Sequence, residues 1–338
     1  MFSLIFNFTS LQLFFLHRYS FIMTFFAKSV LGRTWALQTW SLSWLQPAVV
    51  ELRGNAGHHY LRYFTSSTPS DGEAGNKFVD SCPRPEFDSG CTYCKPEYPA
   101  DLPVEFGAAL GGTAPSVGRH VVVATGTNDW PSKPEFDLSS LQSKVRELQL
   151  SGIRRDHDFN FMITNSNLPP DPSADPSREW SVYLYPDNLY FPRLPHSQGE
   201  RFFKRFLAPS KINEAKEFKS NVEAYRGDYP VVLICGHATR DARCGIAGPL
   251  LEKEFIAVLK SKGLIFDEQS KTGVRVAQVS HLSGHKYAGN VVMLTRDGTS
   301  IWYGLVQPEN VQGIVKETIE NGRIITELYR GGQFLHNI

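Results

Sequence analysis

The stretch PVVLICGHATRDARCG, Pro230 to Gly245, sets an unbroken apolar run directly against two cysteines, Cys235 and Cys244. Six residues of that character, closed by a glycine, predict a strand buried on both faces. A loop is expected from Cys235 to Gly248, with Pro249 opening a helix to about Lys260. Leu250, Leu251, Phe255, Val258 and Leu259 form its apolar side, and Gly263 ends it. Val274 to Val279 reads as the next strand, so strand, helix and strand form a parallel pair with a right-handed crossover. Asn290 to Thr295 and Ser300 to Val306 flank Arg296-Asp297-Gly298-Thr299, a strong hairpin signal. Pro308 opens a last helix to about Glu320. The order β-α-β-β-β-α is that of a thioredoxin-like core, assigned to residues 225–338.

Upstream, residues 118–218 predict a smaller α/β domain, which makes the chain α/β (α+β) as a whole. His120 to Ala124 reads as a buried strand. Leu138 to Leu150 has helical spacing, with Leu141, Val145, Leu148 and Leu150 near one face and Asp137 or Ser139 as cap. Phe159 to Ile163 and Trp180 to Tyr185 predict further strands around a loop rich in Pro and Asp, and Glu200 to Phe206 a short helix. Residues 65–117, rich in Pro, Gly, Ser and charge, read as an extended segment without a core of its own.

Met1 to Val50 contains no Asp or Glu, while Arg18, Lys28 and Arg33 supply positive charge. An acid-poor, Arg-bearing, Ser-containing start is the pattern of a mitochondrial presequence, assigned to residues 1–64. LRYFTSS, Leu61 to Ser67, resembles a matrix-protease processing site, and the expected location is the mitochondrion, in its matrix. Two other readings stand beside this one. The run Phe2 to Leu16 also suits a secretory core or part of a membrane span, but polar residues interrupt it and His17-Arg18 ends it short of the ~20 apolar residues a stable span needs. MTFFAKSVLGRTW, from Met23, reads as a cleaner presequence than what precedes it.

The 338 residues are 41% hydrophobic and carry a formal charge of +1, with no basic face or nucleic-acid-reading motif. Nucleic acid is therefore excluded as a dominant partner. Five cysteines are too few for a secreted disulfide scaffold of this size. They fall in two clusters: Cys82, Cys91 and Cys94, then Cys235 and Cys244.

The chemistry gathers at strand ends. CGHATRDARCG, Cys235 to Gly245, places two thiols after one strand; HLSGHKYAGN, His281 to Asn290, places two imidazoles after its neighbour. Parallel strands bring both loops to one edge of the sheet, with Gly245 and Gly284 letting the backbone bend closely there. Each half alone is weak, since paired histidines are common on surfaces and two cysteines can be unrelated buried thiols. Together they point to metal. Two Cys and two His suit a structural zinc ion and equally a mixed-ligand iron–sulfur cluster.

These two loops resemble the sucrase/ferredoxin-like family, closest to a mitochondrial branch found in fungi. The likeness extends to GRHVVVATGTNDWPSK, Gly118 to Lys133, and to the terminal IWYGLVQPENV and YRGG stretches. The resemblance implies a thioredoxin-like ferredoxin fold and a [2Fe-2S] cluster held by Cys235, Cys244, His281 and His285. Two thiolates would cancel the formal double positive charge of an oxidised core, so mixed ligation eases reduction relative to four thiolates. His237 falls on no ligand position and reads as support or structure. Arg240 and Arg243 either stabilise the reduced state or pair with Asp241 to stiffen the loop. Lys286 and Asn290 read as residues that orient the histidine loop.

Cys91-Thr92-Tyr93-Cys94 is a CxxC, which suggests a thiol–disulfide oxidoreductase as a second function class. It sits in an extended segment rather than at a helix N-terminus, so a structural role or an accessory metal contact with Cys82 competes. Trp130 reads as core or domain interface. No Ser-His-Asp set, phosphate-cradling loop, dinucleotide fingerprint or carboxylate pair of the glycosidase kind stands out. The expectation is an electron-transfer or redox-sensing protein with a protein redox partner, rather than an enzyme with its own substrate; a zinc-stabilised interaction module is the third class.

Overall fold

The computed structural model describes residues 77–152, 160–208, 223–224, 230–295 and 297–334. The presequence, the processing site, the Met23 start, Phe159 and Arg296 lie outside the described residues.

Ten strands form one sheet: β2 (Arg119–Ala124), β3 (Phe161–Ser166), β4 (Glu179–Tyr185), β5 (Leu189–Pro195), β6 (Glu223–Ala224), β7 (Val231–Cys235), β8 (Arg275–Val279), β9 (Val291–Leu294), β10 (Ser300–Tyr303) and β12 (Tyr329–Gln333). The order across it is β12-β10-β9-β7-β8-β3-β2-β4-β5-β6. A separate parallel pair joins β1 (Phe78–Val79) to β11 (Ile324–Ile325). The helices are α1 (Leu141–Leu150), α2 (Gly199–Phe202), α3 (Ala242–Ser261) and α4 (Val311–Ile314).

The C-terminal half is thioredoxin-like in its own topology. β7 pairs parallel with β8, from Val231↔Arg275 to Cys235↔Val279, and antiparallel with β9. β9 and β10 form the antiparallel hairpin, in register from Ser300↔Leu294 to Tyr303↔Val291. Alternation along β7 splits its side chains between two cores. Val232 and Ile234 meet Leu251, Phe255, Val258 and Leu259 of α3 and Val311, Ile314 and Val315 at α4. Each such side chain contributes about 1.5–3 kcal/mol by leaving water. Val231, Leu233 and Cys235 face the opposite cluster with Ala277, Val279, Leu282, Val292 and Trp302.

The other half packs α1 and α2 against β2, β4 and β5 around Leu141, Val145, Leu148, Trp180, Phe191 and Phe202. β3 meets β8 antiparallel at Ser166↔Val279, so the sheet runs unbroken between the halves. Flanking bonds extend that seam: Ser280 N–H to the Asn165 carbonyl at 2.8 Å and Asn167 N–H to the Gln278 carbonyl at 3.1 Å.

Several element boundaries differ from the sequence expectation. Helix α3 begins at Ala242 rather than Pro249, with Asp241 as N-cap accepting from the Arg243 N–H. Pro249 lies inside the helix, where it removes one donor at a cost of about 3 kcal/mol; the buried stripe before and after it outweighs that loss. Cys244 therefore sits in the first turn of a helix and not on a loop. Ser140, not Asp137 or Ser139, caps α1, its hydroxyl accepting from the Ser143 N–H at 2.9 Å. Leu150 is exposed, because a helix of 3.6 residues per turn rotates it off the Leu141–Val145–Leu148 face. Five of the described strands were not expected: β1, β6 and β11, each two residues long, β5, whose LYFPRLP carries two prolines that argue against a strand interior, and β12.

Candidate metal centre

Cys235 ends β7 and Cys244 opens α3, and the helix reaches the strand end because small residues line the approach. A Cβ on Gly248 would lie 2.7 Å from the Gly236 Cα and 2.9 Å from the Cys235 carbonyl oxygen. Both cysteines are buried. The Cys244 thiol donates to the Cys235 sulfur, which also accepts from the backbone N–H groups of Leu282 and His237, so the Cys235 thiolate is favoured despite burial. Burial and that shared proton make the Cys244 thiolate the costlier of the two. A bound cation would favour the thiolate of both cysteines, since metal binding releases thiol protons.

The histidine loop follows β8. His281 and His285 stack with ring centroids 4.3 Å apart and planes 28° from parallel. His285 Nδ1 lies 3.8 Å from the Cys244 sulfur and 3.7 Å from an Asp241 carboxylate oxygen. Ligand atoms of Asp241, Cys244 and His285 all fall within 4.8 Å of one another. Burial, then the neighbouring His285, pushes His281 down to about 3, and burial also lowers His285. Both rings are neutral near pH 7 and keep a lone pair for a metal. Among the described residues His281 Nδ1 is buried with no hydrogen-bond partner, a costly condition that a metal bond relieves.

Cys244 and His285 come together at the sheet edge with Asp241 beside them, while Cys235 neighbours Cys244 and His281 stacks on His285. The chemistry of the set is that of a soft cation or cluster that takes two thiolates and two neutral imidazoles, and the orphaned nitrogen fits it.

Support comes from both sides. His237 bridges them: its Nε2 donates to the Trp130 carbonyl at 2.9 Å, and its Nδ1 accepts from the His281 N–H at 3.4 Å. Trp130 packs edge-on to that ring at 5.7 Å. Arg243 forks onto Asp241 at 3.0 and 2.9 Å and also donates to the Pro103 carbonyl. Arg240 donates to the Ser132 carbonyl at 2.8 Å. Lys286 pairs with Glu105 at 3.1 Å, and Asn290 donates to the Gly284 carbonyl at 3.0 Å.

Residues 77–117 are turns and irregular chain apart from β1, and they pack. Leu110 joins Tyr287 and Leu305 in a small cluster with Val104 and Ala108 beside the histidine loop. Cys91 and Cys94 are disulfide-linked, and Thr92 between them donates to the buried Glu254 of α3 at 2.8 Å. Cys82 stands apart from that pair: its thiol donates to the Asn310 carbonyl, and burial pushes it up to about 12. Two contributors were missed from sequence. Asp241 was seen only as a partner for arginine, though an acidic residue just ahead of a helix is a capping signal. Arg330 was not singled out, only the YRGG stretch that holds it, yet it is 1% exposed behind the histidine loop.

A family model described as sucrase/ferredoxin-like matches residues 110–331. The altered inheritance of mitochondria protein 32 of Meyerozyma guilliermondii is 38% identical over 278 residues, covering 76% of this chain and 95% of that protein. Its namesake from Clavispora lusitaniae is 37% identical over 75% of this chain and 95% of its own. The actin patches distal protein 1 of Saccharomyces cerevisiae is 31% identical over 65% of this chain and 74% of its own. Among solved structures, a thioredoxin-like [2Fe-2S] ferredoxin from Aquifex aeolicus aligns with 30% of this chain and 90% of its own at 20% identity and a TM-score of 0.22. The match over residues 110–331, with relatives aligned along nearly their whole length, makes this chain a member of the sucrase/ferredoxin-like family.

Proposed function

We propose that this chain is a [2Fe-2S] redox protein of mitochondria whose ligands are Cys235, Cys244, His281 and His285. One observation carries the reading: two neighbouring buried cysteines adjoin a stacked pair of neutral imidazoles through the Cys244–His285 approach, and one imidazole nitrogen is buried with no partner among the described residues. A cluster bound there supplies one-electron chemistry. The chain's own residues hold and shield it. His237 fixes the His281 backbone, Asp241 caps the helix that carries Cys244 and is neutralised by Arg243, and the Val104–Leu110 segment packs over the Tyr287 side of the loop. The names of the fungal relatives support the mitochondrial assignment, as does the acid-poor leader.

Iron and acid-labile sulfide analysis of anaerobically purified full-length protein tests the centre. Expected are two irons and two sulfides per chain, a brown colour, and an EPR signal on reduction; Cys235→Ser or Cys244→Ser removes the iron. Colourless, zinc-loaded protein, or a serine variant with full iron, sinks the proposal. Mass spectrometry of the N-terminus from purified mitochondria tests import: cleavage near Phe64 is expected, and an intact Met1 or Met23 terminus overturns it.

A further inference from the structure

Arg330 is buried at 1% exposure on β12, and every hydrogen bond it makes goes to a neutral acceptor. Its Nη1 donates to the Ser283 carbonyl at 3.1 Å and to the Asn290 side-chain oxygen at 2.6 Å. Its Nη2 donates to the Thr113 carbonyl at 2.7 Å, and its Nε to the Thr113 hydroxyl at 3.1 Å. The guanidinium lies 5.0 Å from the Tyr287 ring centre. Among the described residues no carboxylate pairs with it. Two glycines make room: a Cβ on Gly284 would fall 2.6 Å from Nη2, and one on Gly304 2.6 Å from Cδ. Gly284 is also left-handed, at φ 76°, so the tight turn between the two histidines and the slot for the arginine share one residue.

A buried cation without a counter-ion is expensive, by several kcal/mol, and a slot shaped for it at that cost calls for an anion nearby. The anion-forming groups that act on Arg330 are Cys235 and Tyr287. Ser283 and Asn290 tie it to the loop carrying His281 and His285, while Thr113 ties it to the overlying segment. Arg330 therefore does two separable things, one by its fork and one by its charge.

Resting on the ferredoxin reading above, we propose that Arg330 is a positioning residue of the centre: its fork pins the His281–His285 loop, and its unpaired positive charge favours the reduced, more negative state. The charge effect is on the order of tenfold in the ratio of reduced to oxidised centre at a fixed potential, the scale of one unit charge acting in an effective dielectric near 20.

Three variants of the full chain separate the two roles. Arg330→Gln removes charge and fork, Arg330→Lys keeps only the charge, and Thr113→Asp sets a carboxylate beside an intact fork. Hydrogen exchange of residues 281–290 in the metal-free chain reads the pin; redox titration of the loaded chain reads the charge. Exchange is expected to speed up in Arg330→Gln and Arg330→Lys and to stay unchanged in Thr113→Asp. The ratio should shift toward the oxidised form in Arg330→Gln and Thr113→Asp and stay near wild type in Arg330→Lys. Should Arg330→Gln not fold, the other two still decide both roles. Unchanged exchange in Arg330→Lys overturns the pin, and an unchanged ratio in Thr113→Asp overturns the charge. A wild-type chain that holds no iron overturns the ferredoxin reading and the charge role with it, while the pin stands or falls on exchange alone.

Discussion

The four proposed ligands differ in what their charge does. Each cysteine contributes a negative charge when it binds metal, whereas His281 and His285 are neutral donors held low by burial. Replacing either histidine by cysteine leaves a competent sulfur donor but adds a negative charge beside the centre. We expect His281→Cys and His285→Cys to keep a cluster at a lower potential; redox titration checks this, and an unchanged or raised potential counts against that residue as a ligand. These residues could be proposed because each pair follows a segment read as a strand, PVVLIC before the cysteines and VRVAQV before the histidines, and β7 and β8 do pair in parallel. Their supports were less legible. His237 was read as support or structure, but its bridge between Trp130 and the His281 N–H joins residues that no spacing rule connects. Arg330 is further from its partners still, separated from Thr113 by 217 positions, and only the closed fold reveals that it is buried.

At the scale of elements, the approach of α3 to β7 sets where Cys244 can reach. Gly236, Gly245 and Gly248 carry no side chain at the crossing, and Gln278 packs over the first of them. A side chain at Gly248 meets backbone, which cannot rotate away as a flexible side chain would. Gly248→Val should push the start of the helix off the strand, costing about 1–3 kcal/mol as overpacking does, and should lower iron retention as Cys244 withdraws. Urea melts and iron content measured together check it; wild-type values for both would show that the crossing has slack. The helix itself was predicted, but its start was misplaced by seven residues because Pro249 was read as the first turn. Proline at that position usually marks a helix start; here Asp241 supplies the cap and the tightly packed glycines hold an earlier turn in place. β5 was missed for the related reason that its prolines override an otherwise apolar strand pattern.

At the scale of the molecule, the seam between the halves carries a buried titratable group that the proposed centre does not use. His120 on β2 is 3% exposed; its Nε2 meets the Thr164 hydroxyl at 3.0 Å, and its Nδ1 has no partner among the described residues. Burial pushes it down to about 3, whereas in the unfolded chain it titrates near 6.5. The folded state therefore keeps His120 neutral where the unfolded state takes up a proton. Its contribution to stability is fully present above about pH 6.5 and is lost progressively as pH falls toward 3. At pH 5 that loss is about 2 kcal/mol, from 1.36 kcal/mol per unit over the interval below 6.5. His281 titrates in the same direction in the metal-free chain, so the test compares variants rather than absolute slopes. Urea unfolding of metal-free wild type and His120→Gln at pH 7.5 and pH 5 isolates the term, since glutamine can still reach Thr164 but takes no proton. The wild-type chain should lose about 2 kcal/mol more than the variant between the two conditions. Because β2 is continuous with β3, and β3 with β8 at Ser166↔Val279, acid charging of this one histidine should lower the midpoint for the cysteine-bearing half as well. Tryptophan fluorescence, with Trp302 buried within that half, and a far-ultraviolet signal for the whole sheet should move together; equal acid losses in wild type and variant would remove His120 from the account.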